Sequence, residues 1–154
     1  MRQCNGVAWL RLPIAYVDIR FLAHATEDVG KVKQAVHNLF QADHVEKVAF
    51  NEVVLKGHYG NSIILFETRI KNEEITGHFV EKLVAELSEL DKEKILRETN
   101  AFIDGSNLYL RLDKQAALLE EVRLHQADPI YIRIRFRNKD TDNTEIAKDI
   151  GLLP

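Results

Sequence analysis

The chain has one cysteine, Cys4, so no internal disulfide can form and stability must come from a packed core. No apolar run approaches the roughly 20 residues that a membrane-spanning helix needs; Ile63 to Phe66 is typical of what is present. At the amino terminus the short apolar stretch from Val7 to Leu10 is broken by Arg11, so a secretory leader is not expected. Together these absences lead us to expect a reducing, cytoplasmic setting and no membrane partner. With three prolines and seven glycines the chain is neither collagen-like nor of low complexity. No repeat of about 20 to 50 residues recurs, which excludes a solenoid or propeller. Positive charge is not in excess either: 21 Lys+Arg against 24 Asp+Glu leave a net charge of -3, so the bulk charge does not announce a polyanionic partner.

What is present is the composition of one folding domain, 45% hydrophobic and 29% charged over 154 residues. The charge is distributed unevenly. Residues 67–104 hold 6 Lys+Arg and 10 Asp+Glu, whereas residues 107–139 hold 7 and 4, so a basic segment follows an acidic one. Within the basic segment, Pro129 to Arg137 alternates strictly. As a strand it sets Ile130, Ile132, Ile134 and Phe136 on one face and Tyr131, Arg133, Arg135 and Arg137 on the other. Leu108 to Leu112 repeats the pattern with Tyr109 and Arg111 facing outward.

From Ile14 a first strand sets Val17, Ile19 and Phe21 against Tyr16, Asp18 and Arg20. Thr26 supplies a helix cap, and Val29, Val32, Val36, Leu39 and Phe40 recur at helical spacing over about three turns. Two strands follow. Val48, Phe50 and Val54 share one face of the first, and Ile64, Phe66, Thr68 and Ile70 one face of the second, with Gly57-His58-Tyr59-Gly60-Asn61 as the hairpin between them. Asn72 caps a helix striped by Ile75, Phe79, Leu83 and Leu87, and Ser88 or Asp91 starts another. Asp104 to Asn107 form a turn, Asp113 caps a short helix from Lys114 to Glu121, and a terminal helical segment lies around Glu145 to Ile150. The order predicts an α+β fold: a single domain over residues 13–154, preceded by an extension at 1–12. A mixed, mostly antiparallel sheet is expected, with helices packed on one face.

On the uncovered face the sequence places Tyr16, Asp18, Arg20, Glu67, Arg69, Lys71, Tyr109, Arg111, Tyr131, Arg133, Arg135 and Arg137. Arginine and tyrosine together suit phosphates and unpaired bases. They equally suit a solvent face on which Asp18 and Glu67 neutralise two of the arginines. The glycine-containing hairpin lacks the Lys-Ser/Thr ending of a phosphate-binding P-loop. His24 has no nucleophile at motif spacing, and the six histidines include no His-x-x-x-His pair, nor is there a Cys-x-x-Cys. No enzymatic activity, catalytic residue, metal or cofactor is therefore expected.

Several strings carry a resemblance: His24-Ala25-Thr26-Glu27-Asp28, the hairpin Gly57 to Asn61, Asn107 through Ala117, and Asp128-Pro129-Ile130. In order and spacing they resemble the archaeal family of predicted RNA-binding, predicted exosome-associated proteins, over nearly all of residues 14–150. The family pattern usually has a proline where this chain has Ser62 and often a tyrosine near Leu118. The resemblance implies a fold similar to that of the large-subunit ribosomal protein that contacts 5S rRNA, and RNA as the partner, beside RNA-processing or exosome-type degradation machinery. The expected contacts are Arg111, Arg133, Arg135 and Arg137 to phosphate and Tyr109 and Tyr131 to bases, with His58 and Tyr59 at a loop tip. The alternative is a protein-interaction or homodimerising module that uses the same Arg/Tyr face without RNA.

Overall fold

The computed structural model describes residues 14–57 and 61–137. Six strands form one sheet in the order β2-β3-β1-β6-β5-β4. They are β1 (Ile14–Ala23), β2 (Asn51–Lys56), β3 (Ser62–Ile70), β4 (Ile103–Asp104), β5 (Asn107–Leu112) and β6 (Ile130–Phe136). Among the described residues all five strand pairings are antiparallel, in line with the mostly antiparallel sheet expected. The fold is α+β. The extension at residues 1–12, the terminal helix expected near residue 145 and residues 58–60 of the hairpin lie outside the described residues.

The alternation read in β1, β5 and β6 is what builds the core. In register, Val17 lies opposite Ile134, which lies opposite Leu108, and Ile19 opposite Ile132, which lies opposite Leu110. Phe21 pairs with Phe66 across β1 and β3, their rings stacked at 4.8 Å, and Phe50 meets Phe21 edge-on at 5.4 Å. All of these except Phe50 are fully or almost fully buried. Such stacked and edge-on pairs add about 0.5–1.5 kcal/mol beyond area burial.

The helices are α1 (Val29–His37), α2 (Glu73–Glu86), α3 (Glu89–Arg97), α4 (Thr99–Phe102) and α5 (Lys114–Leu118), with a 3-10 turn at Ala42–Lys47 that the sequence pattern did not suggest. Helix α2 buries Ile75, Phe79, Val80, Leu83 and Val84 as its stripe predicts. Asn38, at the end of α1, donates to the Ala117 and Leu118 carbonyls of α5 and accepts at its own carbonyl from Lys82 of α2. Helices α3 and α4 depart from the one-face expectation: Lys94 of α3, Asn100 of α4 and Glu98 between them help to rim the opposite face.

Capping residues explain most helix starts. Asn72, Ser88 and Asp113 each accept a backbone N–H from the first turn of α2, α3 and α5. The start of α1 is shifted: Asp28, not Thr26, is the cap. Glu27, between the two, is engaged by the His24 backbone N–H and by Lys114, and the helix begins only after it. Helix α5 stops at Leu118 because Glu120 takes a left-handed φ of +63°. Val54 lies on the helix side of β2 as expected but is 66% exposed, because β2 is the outermost strand and extends beyond the core.

Two substitutions separate core from cap. Phe21→Ala should destabilise by about 3–5 kcal/mol through the cavity it leaves, whereas Asn72→Ala should cost about 1 kcal/mol through one lost cap. Urea unfolding of both variants measures the contrast.

Candidate nucleic-acid interface

The register that buries the isoleucines sets the intervening residues in rungs across the other face. One rung reads Arg69, Asp18, Arg133, Tyr109 over β3, β1, β6 and β5. The next reads Glu67, Arg20, Tyr131, Arg111, extended onto β2 by Asn51. A third places Tyr16, Arg135 and Asn107 side by side. The first two rungs floor a trough of about 960 Å³, with Lys94, Glu98, Asn100 and Asp104 along its margin.

The arginines on this floor are held differently. Asp18 is committed to Arg69, accepting from Nε at 2.8 Å and from Nη2 at 3.0 Å. That hydrogen bond, opposed by partial desolvation and aided by the Asp18 charge, raises the Arg69 pKa above its ordinary value. Arg133 instead donates from Nε to the Asn107 amide oxygen at 3.0 Å, and Arg111 donates to the Gln126 amide oxygen at 3.1 Å. An amide oxygen orients a guanidinium without cancelling its charge. Among the described residues, Arg20, Arg111, Arg133 and Arg135 have no carboxylate oxygen within 4.0 Å. Glu67 faces Arg20 in register without closing an ion pair.

Tyrosine rings separate these cations. Arg20 and Arg111 flank Tyr131, at 5.3 and 5.7 Å from its ring centre. Arg69 lies 4.0 Å and Arg133 5.6 Å from the Tyr16 ring centre, and Arg133 is 6.0 Å from that of Tyr109. The distances fit cation–π attraction, which steadies the array. Tyr109 and Tyr131 remain 39% and 37% exposed, so part of each ring is open to a stacking partner.

Beyond the Arg20–Tyr131–Arg111 rung a polar network closes the end of the sheet. Lys114 Nζ bonds to Asp128 at 2.8 Å, to Glu27 at 3.2 Å and to the Leu22 carbonyl. His24 Nε2 meets Asp128 Oδ1 at 3.1 Å. Asp128 itself holds a left-handed φ of +45°, a conformation aspartate tolerates better than most residues. Burial alone would raise its pKa, but hydrogen bonds from Lys114 and His24 prevail and hold it below the ordinary 3.8.

A family model described as RNA binding matches residues 16–136. The chain belongs to this RNA-binding family. It is 33% identical to the RNA-binding protein PAB1135 of Pyrococcus abyssi, over 79% of this chain and 80% of that protein. Among solved structures it is similar to protein AF2318 from Archaeglobus fulgidus (TM-score 0.73, 30% identity, 89% of this chain and 99% of that one). It is also similar to protein SSO0741 from Sulfolobus solfataricus (TM-score 0.71, 30% identity, 88% and 96%).

For this member of the RNA-binding family, the expected contacts divide three ways. Arg111, Arg133, Arg135, Tyr109 and Tyr131 come together on one face. Arg137 stands apart at the strand end, donating to Glu73 at 3.2 Å. His58 and Tyr59 lie outside the described residues. Arg20, expected on this face but not among the phosphate contacts, joins them beside Tyr131. Gln126, from a loop with no strand period, gave no signal at all. Asp18, Asp104, Asp113 and Asp128 serve an ion pair, the trough margin, a cap and the Lys114 network.

The lowered Asp128 pKa has a definite sign. Its contribution to stability is present above the unfolded value and is lost as the pH falls through the folded one. Asp128→Asn should therefore flatten the dependence of unfolding free energy on pH below about pH 4, and unfolding curves at several acidic pH values measure it.

Proposed function

We propose that the chain is a non-enzymatic RNA-binding protein whose ligand lies across the β3-β1-β6-β5 face. The observation that carries this reading is the pattern of arginine partners. Arg111 and Arg133 are oriented by amides, Arg20 by a tyrosine ring, and none of the three is neutralised by a described carboxylate. Such guanidinium groups favour phosphate oxygens, which take the planar fork in paired hydrogen bonds. Tyr109 and Tyr131, half-exposed beside them, favour unstacked bases and hence single-stranded or looped RNA rather than duplex. Family membership and the name of the Pyrococcus abyssi relative support the same partner. A setting beside RNA-processing or exosome-type machinery, and a likeness to the 5S-rRNA-contacting ribosomal protein, form the finer part of the proposal and rest on the family resemblance. Co-elution with a purified RNA-degrading complex tests that setting.

The outer edge of β2 favours a second reading. Among the described residues no strand pairs with it, and Val53, Val54 and Leu55 are exposed there. Strand addition by a second copy would cover this edge and leave the arginine face open. The mass in solution distinguishes this arrangement from a monomer.

Binding of labelled single-stranded RNA, followed by anisotropy over a range of salt, tests the main reading. Arg133→Ala and Arg111→Ala should each weaken binding and reduce the salt slope by about 0.7 per lost phosphate contact. Tyr131→Ala should cost about 1–3 kcal/mol of affinity with the slope unchanged. Salt-insensitive binding, or full binding by the double arginine variant, contradicts the reading.

A further inference from the structure

We propose that His44, Glu74 and His78 form a site for one divalent transition-metal ion of the zinc class, on the helix side of the molecule and separate from the arginine face. His44 belongs to the 3-10 turn Ala42–Lys47, where its backbone N–H donates to the Gln41 carbonyl at 2.9 Å, and it is 2% exposed. Glu74 and His78 sit four residues apart on α2 and so share a helix face. One ligand atom from each of the three lies within 4.8 Å of the other two. The imidazole rings are stacked nearly parallel, 5.4 Å between centres and 9° between planes. Binding requires the two rings to turn from this stacked arrangement so that their in-plane lone pairs converge, with each ligand atom at the roughly 2.0–2.2 Å at which zinc takes nitrogen and oxygen ligands.

An independent observation points to a missing ligand. His78 Nδ1 is buried and has no hydrogen-bond partner among the described residues. A buried imidazole nitrogen left unpaired is costly, and native structures seldom leave one without a reason. Glu74 is exposed and makes no ion pair with a described residue, so its carboxylate is not committed to another described charge. Two imidazoles and one carboxylate are the donor set of zinc, cobalt or nickel rather than of magnesium or calcium, and leave a fourth position for water. The ion would pin the 3-10 turn to α2 beside the Phe40–Phe79 contact at 4.7 Å. The other triad of possible ligands, His24, Glu27 and Asp128, differs in kind, because the Lys114 ammonium already supplies its positive charge.

The test uses the full chain freed of metal by a chelator and titrated with Zn²⁺, then with Co²⁺. One equivalent of Zn²⁺ should raise the melting temperature, and Co²⁺ should give the visible absorption of a nitrogen- and oxygen-ligated ion. Glu74→Gln, at an exposed position that leaves the fold intact, and His78→Asn should each weaken binding at least tenfold, while His24→Asn leaves it unchanged. No Zn²⁺-dependent rise in the wild-type chain, a rise retained in full by Glu74→Gln and His78→Asn, or one abolished by His24→Asn overturns the proposal.

Discussion

The antiparallel pairing of β1 with β6 is the constraint on which the molecule depends. Side chains alternate with a period of two, so a slip of one residue would bring Arg133 and Arg135 under the helices and Ile132 and Ile134 into water. The burial of Val17, Ile19, Ile132 and Ile134 makes that slip prohibitive. The hydrophobic core thus determines where each arginine stands. The cationic face is a by-product of the register that packs the core.

The same dependence explains which parts were legible in the sequence. Strands β1, β5 and β6 could be read because one side of each is buried and the other is not, and the caps Asn72, Ser88 and Asp113 could be read because capping is local chemistry. The start of α1 was misread: Glu27 answers to Lys114, 87 residues away, and the helix begins only after it. Alternation gave the side of Val54 but not its 66% exposure, because it does not reveal how far a helix layer reaches. Whether Glu67 neutralises Arg20 depends on side-chain geometry that register alone does not supply.

Three of the strings that carry the family resemblance, around His24, Lys114 and Asp128, meet in one network. As sequence they are unrelated segments. In space, a single ammonium satisfies two carboxylates and a backbone carbonyl, and so ties the end of β1 to the turn that leads into β6. This fastening lies next to the Arg20–Tyr131–Arg111 rung and holds the ends of the strands that display it.

The amide partners of Arg133 and Arg111 have an entropic consequence. A free arginine must give up its rotamers when it grips a ligand, at about 0.5–1.5 kcal/mol for each side chain immobilised. Here Asn107, itself nearly buried, and Gln126 have already restricted those rotamers within the folded chain. Much of the ordering loss is therefore charged to folding rather than to association, and a ligand meets a surface with little freedom left to surrender.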